Sequence, residues 1–320
     1  MPLVVVLGAT GCQGGSVVAA LRENQKWQIR AVTRDPNSSA AKRLLDQGVE
    51  VVAGNADDES SLVQAFEGAT AIFAMTSFDW HVVMSEGPSA AGEKEKKQLL
   101  NMARAAARTK TLQHYVMSSL PPASESSDGR RPVPHFDYKH AAFRWMEESL
   151  PDLASKTTRI WVGWYSSNMA HLPMMKPSPL PGADTHVWMV PSKAEALLPI
   201  AGDVDYNVGV TVQSILEAGA KAYGKLAIVV TEYLTMLDVV HTWESVSAKR
   251  AVFVEVSDAT YRQIWGIAGD EVASQLRWSE EFGHWEQLDP GHVLSLSELG
   301  IEGKLRGFQQ TLESMKSHLI

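Results

Sequence analysis

The sequence predicts a doubly wound α/β fold, in which a parallel sheet carries helices on both faces. Short apolar runs alternate with longer helical periods from residue 3 to about residue 164. These runs are nearly all apolar, as strands must be when helices cover both faces of a sheet. The alternation also implies right-handed crossovers and therefore parallel strands.

The elements of this domain follow in order along the chain. The predicted strands are LVVVLG (3–8), IRAVTR (29–34), VEVVAG (49–54), AIFAMTS (71–77), HYVMSSL (114–120) and TRIWVGW (158–164). The predicted helices span 14–24, 38–47, 59–67, 90–109 and 137–149. Ligands of such sheets bind beyond the carboxyl ends of the strands, so we expect the functional site in the loops that follow these runs. The polar, proline-rich stretch 121–134 is predicted to be a surface loop.

A smaller α+β portion is predicted after residue 164, which divides the chain into domains at 1–164 and 165–320. The segment 166–191 is rich in Pro, Met and aromatic residues and has no clear period, so it is either an irregular excursion or a substrate lid. Part of 203–221 is expected to return to the first domain. The later elements are strands at 227–230 and 252–256 and helices near 208–221, 235–248, 258–267 and 303–318.

The composition narrows the function classes. The 320 residues are 45% hydrophobic and 21% charged, with a formal net charge of −8, which disfavours nucleic acid and anionic membranes as partners. The single cysteine, Cys12, excludes an internal disulfide framework and fits a reducing compartment. The apolar N-terminus is interpreted as a first strand, since no basic segment precedes it, and no stretch is long enough to span a membrane. We therefore expect a cytoplasmic protein.

A glycine-rich turn joins the first strand to the first helix. Gly8, Gly11 and Gly14 have the spacing GxxGxxG in the strand–turn–helix context that gives the pattern a mechanism. The first glycine permits the sharp turn, the second lets the backbone approach a pyrophosphate, and the third lets the helix pack on the strand. This turn predicts a bound dinucleotide.

The end of the second strand indicates which dinucleotide. A ribose with free hydroxyls is usually met there by a carboxylate, whereas a 2′-phosphate needs a cation. Arg34 stands at this point and Lys42 follows one helix turn or so beyond it, although Asp35 is adjacent. The pattern favours NADP(H) over NAD(H).

Several motifs in order resemble the NmrA-like family, an atypical branch of the short-chain dehydrogenase/reductases. They are GATGCQGGSVV, AVTRDP, GVEVVAGNADDESSLVQAFEGATAIFAMTS, HYVMSSL, VPHFDYK and the stretch 224–265. The resemblance implies an N-terminal Rossmann domain, a smaller C-terminal domain and a cleft between them. It places Gly8, Thr10, Gly11, Gln13 and Gly14 on the pyrophosphate, with Cys12 beneath the cofactor, and Arg34 and Lys42 on the 2′-phosphate. It places Asn55 and Ala56 at the adenine, Thr76, Ser77 and Phe78 beside the nicotinamide end, and Lys139, Tyr165 and Asn168 on the nicotinamide side. Asn55 replaces the Asp common in the family, but an amide can still bond an adenine amine.

The sequence offers several candidates for the catalytic acid. Ordinary short-chain reductases carry Tyr-x-x-x-Lys on one helix face, but His135 stands four residues before Lys139. Tyr138 is adjacent to the lysine and points about 100° away, so it cannot take that role. The candidate proton donors are His135, Tyr165 and residues of the SFDWH loop such as Asp79, with Lys139 as the partner lysine.

Three functions remain open from the sequence. The first is NADP(H)-dependent reduction of a C=O, C=C or C=N bond in an apolar, aromatic small molecule. The second is a non-redox enzyme of the same fold that performs acid-assisted iminium condensation or cyclisation with retained NADP(H). The third is an NADP(H)-sensing regulator that binds a protein partner. Candidate substrate contacts are Trp80, His81, Met169 and Trp188, since aromatic and Met side chains line apolar pockets as readily as they fill cores. No spacing predicts a metal site.

Overall fold

The computed structural model describes residues 1–320, and an eight-stranded parallel sheet forms its centre. The strands are β1 Leu3–Leu7, β2 Gln28–Thr33, β3 Glu50–Ala53, β4 Ala71–Ala74, β5 His114–Ser119, β6 Thr157–Val162, β7 Trp164–Tyr165, β8 Ser178–Pro179, β9 His186–Val190, β10 Leu197–Gly202, β11 Leu226–Val229, β12 Glu232–Thr235, β13 Ala251–Glu255 and β14 Val293–Leu294. The helices are α1 Cys12–Asn24, α2 Ser39–Asp46, α3 Glu59–Ala65, α4 Trp80–Glu86, α5 Pro88–Ala107, α6 Ala123–Ser126, α7 Pro134–Ser149, α8 Pro151–Ala154, α9 Asn168–His171, α10 Val204–Ala218, α11 Met236–Ser247, α12 Asp258–Trp265, α13 Ile267–Ser279 and α14 Phe308–Ser314.

The strand order of the large sheet is β14-β11-β6-β5-β4-β1-β2-β3, and every neighbouring pair is parallel. This confirms the predicted doubly wound fold. The chain runs outward from β1 in both directions, so β1 and β4 flank the switch point where such folds bind ligands. Two three-stranded sheets, β12-β10-β7 and β13-β9-β8, belong to the later part of the chain.

The two faces of the large sheet bury separate apolar clusters. Val4 and Val6 point into the cluster beneath α1 and α10, whereas Val5 and Leu7 point into the cluster beneath α3, α5 and α7. Successive side chains of a strand point to opposite faces, so a strand between two helical layers must be apolar throughout. This requirement explains the continuous run LVVVL.

Helix α10 packs closely across α1. The Gly209 amide donates to Ser16 Oγ at 2.7 Å, and a Cβ at Gly209 would lie 2.1 Å from the Ser16 carbonyl oxygen. Strand β11 was predicted to belong to the smaller portion, but in the structure it pairs with β6 and extends the large sheet. Its residues Leu226, Ala227 and Val229 are fully buried there. The division at residues 164/165 stays a prediction, because elements on both sides of it build the large sheet.

The segment 166–191 forms α9, a 3₁₀ turn at Pro173–Met175 and the strands β8 and β9. Its side chains Met169, Met175 and Trp188 belong to a third buried cluster, together with residues of α11. The segment thus packs into a shared core, while its residues Asn168, Leu172 and Met175 also reach the cavity described below.

Several predicted helices have different bounds in the structure, and two of them bear on the architecture. The helix expected at 90–109 begins at Pro88, and α4 precedes it; the two are separated by Gly87, whose φ of 97° only glycine adopts readily. The helix expected at 303–318 is reduced to α14. No helix is both long enough and apolar enough to cross a membrane.

Candidate functional site

A cavity of about 1090 Å³ runs along the carboxyl ends of β1, β2, β4, β5 and β6. It lies where the topology predicts a ligand, because the loops after these strands meet at one edge of the sheet. Most of the predicted site residues line it: Gly8, Thr10, Gly11, Cys12, Gln13, Arg34, Asn55, Ala56, Thr76, Ser77, Phe78, Asp79, Trp80, His81, His135, Lys139, Tyr165 and Asn168.

Four predicted residues do not line the cavity. Gly14 lies behind the loop, where the helix meets the strand. Lys42 is exposed on α2, away from the lining. Met169 and Trp188 are buried in the third cluster and do not reach the cavity. Apolar residues in an irregular segment are driven into whichever core they can reach, and only tertiary packing selects it.

The three glycines of the first turn have different structural roles. Gly8 has a φ of 63°, and a Cβ there would meet Met75 Sδ at 2.2 Å. A Cβ at Gly14 would lie 2.3 Å from the Gly8 carbonyl oxygen, so this glycine allows α1 to pack on β1. A Cβ at Gly11 would meet only the Gly8 oxygen, at 3.5 Å, and would otherwise project into open space. The first-turn amides of α1, which have no intrahelical acceptor, lie beside that space.

A chain of hydrogen bonds holds the glycine loop against the neighbouring strands. Gln13 Nε2 donates to the Tyr165 hydroxyl at 2.5 Å, and Ser118 Oγ donates to Gln13 Oε1 at 2.8 Å. Burial raises the pKa of Tyr165 to about 12. A phenol with a raised pKa keeps its proton near neutral pH and is a weaker acid than a free tyrosine.

The second strand ends beside a free cation. Arg34 is exposed at the cavity and forms no ion pair. The neighbouring Asp35 is occupied in a turn, since its Oδ1 accepts the Asn37 amide at 2.9 Å. A carboxylate next to Arg34 would otherwise argue against a bound phosphate, but the side chain of Asp35 is bonded within its own turn. Asn55 closes a similar turn by accepting the Asp57 amide at 3.0 Å.

Lys139 is paired with Glu95, a carboxylate that was not among the predicted site residues. Lys139 forms an ion pair with Glu95 of α5, whose side chain is 1% exposed, and Thr76 Oγ1 donates to the same Glu95 oxygen at 2.8 Å. Glu95 stands in the run GEKEKKQLL, which reads as a solvated helix start. Its burial could have been predicted from its spacing, because Glu95 lies four residues from both Ala91 and Leu99 and therefore on the buried stripe of α5.

His135 is paired in the same manner with Glu271 of α13. The Glu271 carboxylate, 1% exposed, accepts the His135 backbone amide at 3.0 Å and contacts the ring Nδ1. His135 and Lys139 share one face of α7 and both line the cavity. Tyr138 instead packs against Gly92 of α5, as its divergence from the lysine predicts.

Asp79, a candidate proton donor, has a structural task. Its carboxylate caps α4 by accepting the amides of His81 and Val82, and it binds Lys94 Nζ at 2.8 Å. The hydrogen bond from Lys94 lowers the pKa of Asp79. An Asp with a lowered pKa is ionised near neutral pH, so Asp79 has no proton to donate there.

The end of the cavity that holds His135 has apolar walls. Phe78 and Trp80 pack edge to face, with ring centroids 5.7 Å apart, and Phe78 also lies 5.6 Å from the His135 ring. The wall continues with Leu120, Trp164, Leu172, Met175, Val272 and Trp285. Among the residues of the chain no group of three or more His, Cys, Asp or Glu side chains is arranged to hold a metal. This end therefore suits a flat apolar molecule.

Comparisons with known proteins agree with this geometry. A family model described as the NmrA-like family matches residues 2–309. The NmrA-like family domain-containing oxidoreductase himF of Aspergillus japonicus is 28% identical over 88% of this chain and 86% of that protein. The oxidoreductase hkm9 of Aspergillus hancockii is 31% identical, but the match covers 52% of this chain and only 47% of that protein.

Solved structures of NmrA, a negative transcriptional regulator, have the same fold. The complex of NmrA with NADP superimposes with a TM-score of 0.76 and 22% identity, covering 99% of this chain and 95% of that one. NmrA has also been solved with NAD, with a TM-score of 0.77 and 20% identity over the same shares of the two chains. The neighbours of this fold thus include proteins that bind either dinucleotide.

Proposed function

Because this chain belongs to the NmrA-like family, we propose that it is an NADP(H)-dependent oxidoreductase that reduces a C=O, C=C or C=N bond of an apolar, aromatic small molecule. One observation carries the proposal. A single cavity joins the glycine loop at one end to His135, Lys139 and an aromatic wall at the other. A dinucleotide laid along the strand ends would bring its nicotinamide to the aromatic end.

The residues present fit such a cofactor. The open space in front of Gly11, beside the first-turn amides of α1, has the shape and polarity that a pyrophosphate needs. Arg34 has no competing partner and matches a 2′-phosphate, which supports NADP(H) over NAD(H). Ser119 Oγ is buried at the cavity without a hydrogen-bond partner. The relatives named oxidoreductases agree with a redox role.

The bound cofactor supplies the hydride, and the residues of the chain supply the rest of the chemistry. Lys139 holds the nicotinamide ribose, and its pairing with Glu95 and Thr76 keeps the ammonium in place. His135 provides the proton that the reduced substrate must gain. The walls formed by Phe78 and Trp164 exclude water and orient a planar substrate.

The test is cofactor consumption. Purified protein is incubated with NADPH and a panel of aromatic ketones, enones and imines, and the loss of NADPH absorbance is followed. We expect oxidation of NADPH with at least one substrate, and a loss of roughly 10²- to 10⁴-fold in kcat for His135→Asn. Lys139→Ala should lower cofactor affinity, activity or both; an unchanged enzyme would mean that the site lies elsewhere.

Two outcomes would replace the proposal. Product formation without NADPH consumption would favour the non-redox condensation or cyclisation. If no compound is converted, but NADP(H) changes the affinity for a protein partner, the sensor hypothesis would stand instead.

A further inference from the structure

We propose that Glu271 is a positioning residue for His135, which it holds so that the ring Nε2 atom delivers the proton to the substrate. The inference rests on the proposed function and deepens it, because it assigns a task to a buried carboxylate from the far end of the chain. Glu271 lies on α13, 136 positions after His135 in the sequence.

The contact defines which ring nitrogen carries hydrogen. A single oxygen, Glu271 Oε1, accepts the His135 backbone amide at 3.0 Å and contacts Nδ1 of the same residue. A carboxylate has no hydrogen to give, so Nδ1 must be the donor. The backbone bond fixes the start of α7 relative to α13, and the ring bond fixes the rotation of the imidazole.

The packing leaves one polar edge of the ring for the cavity. The His135 ring lies between Phe78 and Phe136, with centroid distances of 5.6 and 4.6 Å. The side chain of His135 is 18% exposed, whereas that of Glu271 is 1% exposed. Since Nδ1 is occupied by Glu271, Nε2 is the nitrogen that can reach a bound molecule.

Glu271 is the charged partner of the His135 ring. Its Oε2 atom is buried with no hydrogen-bond partner, so the side-chain bonds of Glu271 are those that its Oε1 atom makes to His135. The other nearby charges are already paired: Lys139 of α7 with Glu95 of α5, and Asp79, before α4, with Lys94. Asp137 of α7 is bonded to Ser124 and to the Val133 amide. Of these charged groups, only Glu271 contacts the ring.

The proton balance of the step is simple. The substrate gains a hydride from the reduced cofactor and a proton from His135 Nε2, and the cofactor is left oxidised. The N–H bond at Nε2 breaks as the new bond to the substrate forms. The imidazole is left neutral with Nδ1–H still on Glu271, and solvent returns the proton.

Histidine side-chain NMR tests the pairing without turnover. Ring nitrogen signals are recorded over a pH series for the wild type, for E271Q and for E281Q, with His135→Asn to assign His135 among the ten histidines. E281Q is the matched control, because Glu281 binds Arg130 and Arg131 just beyond α13 but does not line the cavity. We expect neutral His135 to carry its hydrogen on Nδ1 in the wild type and in E281Q, and the Nδ1–H signal to shift in E271Q alone, because only that variant changes the acceptor of this hydrogen. An Nε2–H tautomer in the wild type, or an unchanged Nδ1–H signal in E271Q, would overturn the inference.

Kinetics then separate this inference from the proposed function. E271Q should lower kcat by roughly 10²-fold and leave KM for NADPH unchanged. The double variant of H135N with E271Q should be no slower than H135N alone, since Glu271 acts through His135. If E271Q does not fold, E271D keeps a carboxylate on a shorter side chain and should likewise lower kcat while KM for NADPH stays unchanged. A wild type that oxidises no NADPH contradicts the proposed function, whereas turnover with normal kcat in E271Q contradicts only the role of Glu271.

Discussion

Replacing Gly11 by Ala tests the cofactor site through binding rather than through catalysis. The backbone at Gly11 is extended, with φ −105° and ψ −178°, so alanine can adopt it without strain. The added Cβ would project about 1.5 Å from Cα into the open part of the cavity, with the Gly8 oxygen at 3.5 Å as its only neighbour. The substitution should therefore leave the fold intact and fill the space assigned to a pyrophosphate.

The magnitude follows from the bonds that would be lost. A hydrogen bond to a charged group contributes about 1.5 to 3 kcal/mol, so displacing one phosphate oxygen from the amides of α1 should weaken NADPH binding about 10- to 150-fold. With NADPH at about 100 times its Kd, the wild type gains about 2.7 kcal/mol of stability, or about 5 °C in Tm for a chain of this size. The Gly11→Ala protein should lose about half to nine-tenths of that gain.

Neighbouring glycines provide the controls. At Gly15 a Cβ would meet only the Ala9 oxygen at 3.5 Å, an ordinary contact. Gly15→Ala should thus raise stability by about 0.5 to 1 kcal/mol through helix propensity and leave the Kd for NADPH unchanged. At Gly14 the Cβ would overlap Gly8 and Leu7 oxygens at 2.3 and 2.6 Å, so Gly14→Ala should destabilise the free protein by about 1 to 3 kcal/mol.

The assay is isothermal titration with NADPH, supported by thermal unfolding with and without cofactor. Wild-type affinity in Gly11→Ala would refute the reasoning, because no pyrophosphate could then lie against residue 11. A drop in the Tm of the free Gly11→Ala protein as large as that of Gly14→Ala would refute it as well, since it would show that the space is not open.

Three further predictions concern other residues. Arg34→Glu should raise the Kd of NADPH by at least about tenfold more than the Kd of NADH. Lys42→Ala should change either Kd much less, since Lys42 does not line the cavity. Equal weakening of both cofactors in Arg34→Glu would contradict the assignment of Arg34 to the 2′-phosphate. Glu95→Gln should destabilise the protein by about 3 to 5 kcal/mol in denaturant unfolding, because Lys139 would be left as a buried, unpaired charge, and an unchanged midpoint would contradict that pairing. Burial lowers the pKa of His114 to about 4, so the neutral side chain contributes fully to the free energy of unfolding above pH 6.5, and this contribution falls by about 3 kcal/mol as the pH drops toward 4. The free energy of unfolding of a His114→Gln protein should therefore depend less on pH than that of the wild type. Parallel curves for the two proteins would contradict this origin.

Much of the fold follows from local patterns in the chain. A strand covered on both faces must be apolar throughout, so LVVVL and AIFA identify themselves without knowledge of their neighbours. The glycine turn is equally local, because Gly8 needs a positive φ and Gly14 a close approach of helix to strand. The later strands β8, β9 and β14 are too short or too irregular to give such a pattern, and Leu226–Val229 does not reveal which sheet it joins.

The sequence by itself therefore determined the doubly wound sheet, the family and the residues of the glycine loop, because each is recognised from residues that lie close together along the chain. Only the tertiary structure decided what holds the two groups on α7. Glu95 and Glu271 occur among ordinary helix residues; the spacing of Glu95 from Ala91 and Leu99 indicates a buried position, but nothing in either segment indicates pairing with Lys139 or His135. The same holds for Met169 and Trp188, which fill a core instead of lining the cavity. Burial and pairing depend on which distant surfaces meet, and that is settled by packing of the whole chain.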